Sequence, residues 1–317
     1  MTVLVTGGAG FIGSHLTDAL VLNNEDIIVV DNFSTGNLNN LNPVKSKINV
    51  IDGDIRDVNL IEEIVSEVDV VFHMAAALGV SNILNSTLDS ISVNITGSDV
   101  VLKAAAKYDK RIVIASTSEI YGKNNSQPLS ETDDRVIGTP QKIRWSYSDA
   151  KAIEEATATV LHQTKGLRVT TVRLFNTVGP RQKGQYGMVV PRFVQNAISN
   201  QPLCIHGDGK QTRVFCHVSD VIDALMKITK SDNTIGEVYN LGGVGEISIN
   251  ELAQKVIQIT NSSSKIEYVQ YDKAYPFGFE DMLRRVPDIT KLKSVIDWAP
   301  KTNLDQIIKD IVKFLLE

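Results

Sequence analysis

"VTGGAGFIGSHL", residues 5–16, decides the fold of this chain. The apolar run "TVLVT" (2–6) leads into glycines at 7, 10 and 13, and these open an apolar-periodic stretch that reaches residue 23. Strand, glycine turn and helix in that order are what a dinucleotide site requires. Glycine lets the backbone turn tightly and approach a pyrophosphate, whose charge is met by the N–H groups at the helix N-terminus. Glycines alone are weak evidence, but the next strand-like run, "DIIVVD" (26–31), ends in Asp31. A carboxylate there accepts hydrogen bonds from an adenosine ribose and repels a 2′-phosphate, which favours NAD over NADP. The candidate cofactor contacts in these two stretches are Gly7, Gly10, Phe11, Ile12, Gly13, Asp31 and Asn32.

The same alternation continues outward. Further strand-like runs are "INVID" (48–52), "VDVVFHM" (68–74), "RIVIAS" (111–116) and "LRVTTVRLF" (167–175), β-branched and nearly continuously apolar. Strands buried on both faces read this way. Helical patterns lie between them near 11–23, 58–67, 93–107 and 147–165. The expected class is therefore α/β, a Rossmann-type doubly wound parallel sheet. After residue 180 the rhythm changes: helices near 188–199, 219–229 and 248–260 and one from 303, with the turn-rich "QPLCIHGDGKQTRVF" and a short strand "VYNLG" (238–242) among them. This predicts an NAD-binding domain over 1–180, completed by a segment near 215–242. Residues 181–317 would mainly form a smaller, interleaved α/β substrate lobe.

Composition excludes several classes. The chain has 317 residues, 43% hydrophobic and 22% charged, with a net charge of −5 and both signs scattered. There is no basic footprint for nucleic acid and no polybasic membrane anchor. Any anionic ligand must be held by local groups. Cys204 and Cys216 are isolated thiols without a CxxC pattern, which suits a reducing compartment. No signal peptide or membrane-length apolar window is visible, so a cytoplasmic, soluble protein is expected. His15, His73, His162, His206 and His217 show no ligand spacing, and no metal is expected.

"SYSDAK" (146–151) places Tyr147 and Lys151 four apart on one helical face. A tyrosine phenol titrates near ~10, so it can take a proton from an alcohol at neutral pH only beside a cation that stabilises phenolate. An ammonium one turn away would supply that cation.

Together with "TGGAGFIGSHL", the stretches "VVDNFSTG", "DGDIRD", "VFHMAA", "VNITGS", "ASTSEIYG", "YSDAK", "RLFNTVGPR", "GDGKQTRVFCHVSD", "YNLGG" and "RRVPDITK" with "DWAP" resemble the nucleotide-sugar branch of the extended short-chain dehydrogenase/reductases. The resemblance runs from end to end, and its implications are specific. Asp54 and Ile55 would flank the adenine, and Ala75 in "HMAA" would pass the cofactor's phosphates and ribose. Thr117 would hydrogen-bond the sugar C4 oxygen, Tyr147 would be the general base, and Lys151 would hold the nicotinamide ribose and depress the tyrosine pKa. Asn176 and Arg213 would contact the phosphates of the sugar nucleotide, a UDP-sugar above all.

All reactions of this branch begin by oxidising C4 to a ketone with NAD. Glu119, after Thr117 and Ser118, matches decarboxylases and some dehydratases, and Arg285 falls where decarboxylases handle a carboxylate. Against them, "YSDAK" departs from the "YDEGK" of UDP-xylose-forming enzymes, and Ser118 stands where the dTDP-glucose dehydratases have an aspartate. The texture around "GQYGMVVPRF" (184–193) is of 4-epimerase type. The expectation is a UDP-hexose or UDP-hexuronate 4-epimerase. The alternatives are a UDP-glucuronate decarboxylase, a nucleotide-sugar 4,6-dehydratase and, more remotely, a non-catalytic NAD-binding regulator. Family members dimerise through helices matching 93–107 and 147–165, so a homodimer is expected.

Overall fold

A computed structural model describes residues 1–77, 87–184, 188–274 and 282–317. Residues 185–187, within the epimerase-like stretch, lie outside the described ones. Strands β1 (Thr2–Thr6), β2 (Asp26–Asp31), β3 (Ile48–Asp52), β4 (Val70–His73), β5 (Arg111–Thr117) and β6 (Arg168–Leu174) alternate with helices α1 (Phe11–Leu22), α2 (Val58–Glu67), α3 (Ser98–Lys107) and α4 (Ser146–Lys165). Beyond these come β7 (Thr177–Val178), α5 (Val189–Ile198), β8 (Leu203–His206), β9 (Thr212–Arg213), β10 (Cys216–His217), α6 (Val218–Thr229), β11 (Val238–Leu241), β12 (Ile247–Ser248), α7 (Ile249–Thr260), β13 (Ile266–Val269), β14 (Arg284–Arg285) and α8 (Leu304–Leu316).

The main sheet has the order β11-β6-β5-β4-β1-β2-β3, with every neighbouring pair parallel. The period-2 rule divides its side chains between two cores. Val3, Val5 and Val29 pack with Leu16 and Leu20 of α1 and with Val221 and Leu225 of α6. Leu4, Val30 and Val71 point the other way, against Ile61 and Val65 of α2 and Leu102 of α3. Both faces are covered, which is why the strands read as continuous apolar runs.

A third core joins Phe193 of α5, Leu203 and Ile205 of β8, Leu252 and Val256 of α7, and Ile307 and Ile311 of α8. Residues Ile289, Leu292, Ile296 and Trp298, late in the sequence, return to the first core under the main sheet. The helix expected over 93–107 is not uniform: Val93–Gly97 forms a wider π turn before α3. That turn sets Asn94 against the backbone of Ala77, accepting from its N–H at 3.0 Å and donating to its carbonyl at 2.9 Å. Among the described residues no helix is long and apolar enough to cross a membrane.

Candidate active site

The carboxyl ends of the central strands open into a cavity of about 480 Å³. Ligands of open parallel sheets lie at this edge. Gly7, Asp31 and Ala75 line one end, and Thr117, Tyr147 and Arg285 line the other.

The cofactor end is made largely of backbone. Gly7 has φ +69°, and a Cβ there would sit 2.7 Å from the backbone of Ala75. At Gly13 a Cβ would come within 2.1 Å of the Gly7 carbonyl oxygen. The N-cap of α1 is Gly10, with no side-chain cap and no acid in the first turn, so the first N–H groups are left to an anion. Asp31 is buried, accepting from the Ala9 N–H at 2.9 Å and the Phe33 N–H at 2.8 Å. Burial pushes its carboxyl up, against the pull of these two bonds. Gly10, Phe11, Ile12, Gly13, Asn32 and Ile55 also line the cavity. A glycine cradle, an open helix end and a carboxylate beside them fit an NAD pyrophosphate and ribose.

Asp54 sits between two lining residues, Gly53 and Ile55. Its carboxylate is held by the Arg56 guanidinium through two bonds, 2.9 and 2.6 Å.

The sugar end is made of side chains gathered from separate elements. Thr117 closes β5, and its Oγ1 accepts the Glu119 N–H at 3.1 Å. Glu119 stands between two arginines: Oε1 meets Arg285 Nη1 at 2.6 Å, and Oε2 meets Arg144 Nη1 at 2.5 Å. Burial pushes the Glu119 carboxyl up, but Arg144 and Arg285 outweigh it and hold the group well below the usual carboxylate range. Glu119 is an anion here and has no proton to give. Ser118 Oγ also accepts from Arg285, at 3.4 Å. Arg285 of β14 is in register with Arg213 of β9, and both line the cavity with Asn176. The Asn176 side chain donates to the Val214 carbonyl at 3.0 Å, tying the loop after β6 to β9.

Tyr147 lies on the first turn of α4 and hydrogen-bonds Thr117. Burial raises the Tyr147 phenol above its ordinary value, the Glu154 and Glu119 charges raise it further, and only the bond with Thr117 opposes them. Lys151 is fully buried and does not line the cavity. Its ammonium lies 2.6 Å from Glu154 Oε2, one turn further along α4. Glu154 Oε1 lies 3.7 Å from His73 Nε2, which meets Ser98 Oγ at 3.0 Å. Burial and the Lys151 charge push His73 down to about 3, so the imidazole is neutral. Beside this layer, Glu155 accepts from Ser116 at 2.5 Å and from Arg173 at 2.8 Å, bracing α4 on β5 and β6.

Seven expected contacts thus meet in one cavity: Thr117, Ser118, Glu119, Tyr147, Asn176, Arg213 and Arg285. Two functional neighbours were not foreseen, Arg144 and Glu154. Arg144 stands three residues before Tyr147, a helical spacing that could have flagged it.

The model of the GDP-mannose 4,6-dehydratase family matches residues 4–311. A UDP-N-acetyl-α-D-glucosaminuronate decarboxylase of Bacillus cytotoxicus is 43% identical over 99% of this chain and 97% of its own length. The solved UDP-glucose 4-epimerase of Thermotoga maritima, with UDP-glucose, superposes with a TM-score of 0.90 at 31% identity, covering 100% of this chain and 99% of that one. A UDP-glucuronic acid 4-epimerase of Bacillus cereus, in complex with UDP-glucuronic acid and NAD, gives 0.89 at 26% identity, with coverage of 100% and 99%. With its parallel sheet, glycine cradle and Thr117–Tyr147 pair in place, the chain belongs to the extended short-chain dehydrogenase/reductases that modify nucleotide sugars.

Proposed function

We propose that this protein is an NAD-dependent decarboxylase of a UDP-hexuronate, with UDP-N-acetylglucosaminuronate and UDP-glucuronate as the first candidates. The observation that carries the reading is the pair of guanidiniums, Arg144 and Arg285, at the sugar end beside Thr117 and Tyr147. A hexuronate brings a second carboxylate to these arginines, and the 43% identical relative is named for decarboxylating such a sugar.

NAD, when bound, accepts hydride from the sugar C4 carbon and returns it at the end. Thr117 orients the C4 hydroxyl and Tyr147 takes its proton. The C4 ketone stands β to the C6 carboxylate, so the C5–C6 bond can break with its electron pair passing to an enolate and CO2 leaving. Arg285 and Arg144 orient the carboxylate across the ring. Glu119, already on both guanidiniums, keeps them from holding the carboxylate too tightly, since ground-state stabilisation would slow its loss. A proton must then reach C5, and the C4 oxygen recovers one from Tyr147.

Epimerisation at C4 is the second reading, favoured by the full-length likeness to the Thermotoga maritima 4-epimerase. Incubation with NAD and UDP-N-acetylglucosaminuronate, UDP-glucuronate, UDP-galacturonate or UDP-glucose, followed by mass and NMR analysis, separates the two. Loss of CO2 supports the proposal; a product of unchanged mass with inverted C4 replaces it with the second reading. The protein is further proposed to dimerise through α3 and α4, where Ile153 and Val160 of α4 are exposed. Sedimentation that finds only monomer removes that part.

A further inference from the structure

We propose that Lys183, on the loop after β7, is a contact for the cofactor's diphosphate, a cation that this loop lends to the dinucleotide site from outside the β1–α1 turn. The inference rests on the glycine turn holding NAD and not on which reaction follows. Its first ground is a charge imbalance. Up to Ile55, the residues lining the cavity include the Asp31 carboxylate but no lysine or arginine. A doubly negative diphosphate would meet peptide N–H groups and an anion there, with no counter-charge beside it. Arg181 and Lys183, which follow β7, line the same cavity and bring that charge.

The second ground is how the loop is held. His15 Nε2 meets the Pro180 carbonyl at 3.0 Å, and Arg181 Nη2 meets Asp18 Oδ2 at 2.7 Å, so α1 pins the loop at two points. Arg181 adopts a left-handed backbone, φ +68°, which is costly for a residue with a Cβ. Its other terminal nitrogen, Nη1, is buried with no partner among the described residues. Gln182 Nε2 donates to the Thr177 carbonyl at 2.9 Å. From this anchored loop Lys183 reaches across to the segment after β2, where its ammonium donates to the Thr35 carbonyl at 3.3 Å. That segment packs on the glycine turn: the Asn37 N–H donates to the Ala9 carbonyl at 3.0 Å. A Cβ on Gly36 would stand 2.8 Å from Asp31 Oδ1. The ammonium therefore rests over the stretch that joins the glycine turn to the Asp31 carboxylate. Lys183 is exposed and pairs with no carboxylate among the described residues. Its long bond to a neutral carbonyl is one that a phosphate oxygen would displace.

The test reads binding and not turnover. Equilibrium dialysis against labelled NAD is run on wild type, K183Q and K183R, with UDP affinity measured beside it. The side chain is exposed, so neither substitution disturbs the core. K183Q should hold NAD about fivefold more weakly, the upper end for an exposed ion pair, with UDP affinity unchanged. K183R keeps the charge and should recover most of the loss. The gap between wild type and K183Q should narrow as salt rises from about 0.05 M to about 0.5 M, because an exposed charge pair is screened. A role in packing the loop would give the same loss at both salt concentrations and no recovery in K183R, and that result overturns the proposal. Equal NAD affinity in wild type and K183Q overturns it as well. A loss of UDP affinity without a loss of NAD affinity would give this cation to the sugar nucleotide and overturn it too.

Discussion

At the cofactor end of the cavity the ligand would meet peptide groups, brought close by glycines whose hydrogens leave room that no Cβ could share. At the sugar end it would meet side chains delivered by β5, α4, β9, β14 and the turn before α4. The first end is contiguous in sequence: residues 7–13 and 31 contain most of it. The second is assembled over 168 positions, from Thr117 to Arg285, and exists only once the three-stranded sheet β12-β9-β14 has formed. A backbone site tolerates loss of any one side chain, whereas a side-chain site loses its chemistry with each member.

That contrast can be broken most directly at Tyr147. Tyr147→Phe removes the proton acceptor and little volume, and turnover should fall by ~10²–10⁴-fold with NAD affinity nearly unchanged by calorimetry. A variant that keeps more than about a tenth of the rate would mean that the sugar end is less dependent on this side chain than its geometry indicates.

Glu119→Gln comes next. Without the anion, Arg144 and Arg285 would hold the substrate carboxylate in its place. KM for the uronate should fall, and kcat should fall by one to two powers of ten, about the worth of a hydrogen bond to a charged group. NAD should still be reduced, so stopped-flow absorbance should show NADH persisting with the 4-keto sugar. Normal kcat with mass-neutral product would instead favour epimerisation.

Asp31→Ala probes the backbone end and should cost less, about tenfold in NAD affinity with a narrowed preference over NADP. Part of that loss would come through the loop, because the Ala9 and Phe33 N–H groups lose their acceptor. Unchanged NAD affinity by calorimetry would remove Asp31 as ribose ligand.

The smallest effect concerns acid stability. The Glu119 carboxyl is lowered in the fold by Arg144 and Arg285. Its contribution is therefore present above the unfolded-chain value of ~4.3 and is lost as pH falls below that, toward the folded value. Denaturant titrations between neutral pH and about pH 3 should show a shallower loss of stability in Glu119→Gln than in wild type.

How much could be read in advance follows the same division. The glycine turn, Asp31, the parallel character of the sheet and the Tyr147 position are local patterns; the sheet is parallel as read, and Gly7, Asp31 and Tyr147 line one cavity. Glu154 was visible as an i, i+3 partner of Lys151, a spacing common on exposed helices. Nothing in a single sequence says that this helix face is buried against Ser98 and His73. The pairing of Glu119 with Arg144 was hidden for the same kind of reason. Arg144 precedes α4, and only the path of the 118–121 turn aims Glu119 back at it.

The register of β9 and β14 has a consequence for substrate size. Arg213 and Arg285 are strand partners, so they stand side by side one strand spacing apart, about 4.8 Å along the hydrogen-bond direction. A slip of one strand by one residue would turn its arginine to the opposite face and part the pair. Two cations locked in step act as a gauge. On the proposed function, a sugar nucleotide whose phosphate reached Arg213 would have its far end measured against Arg285, so a ring with its acidic group one bond nearer or farther would meet only one of the two.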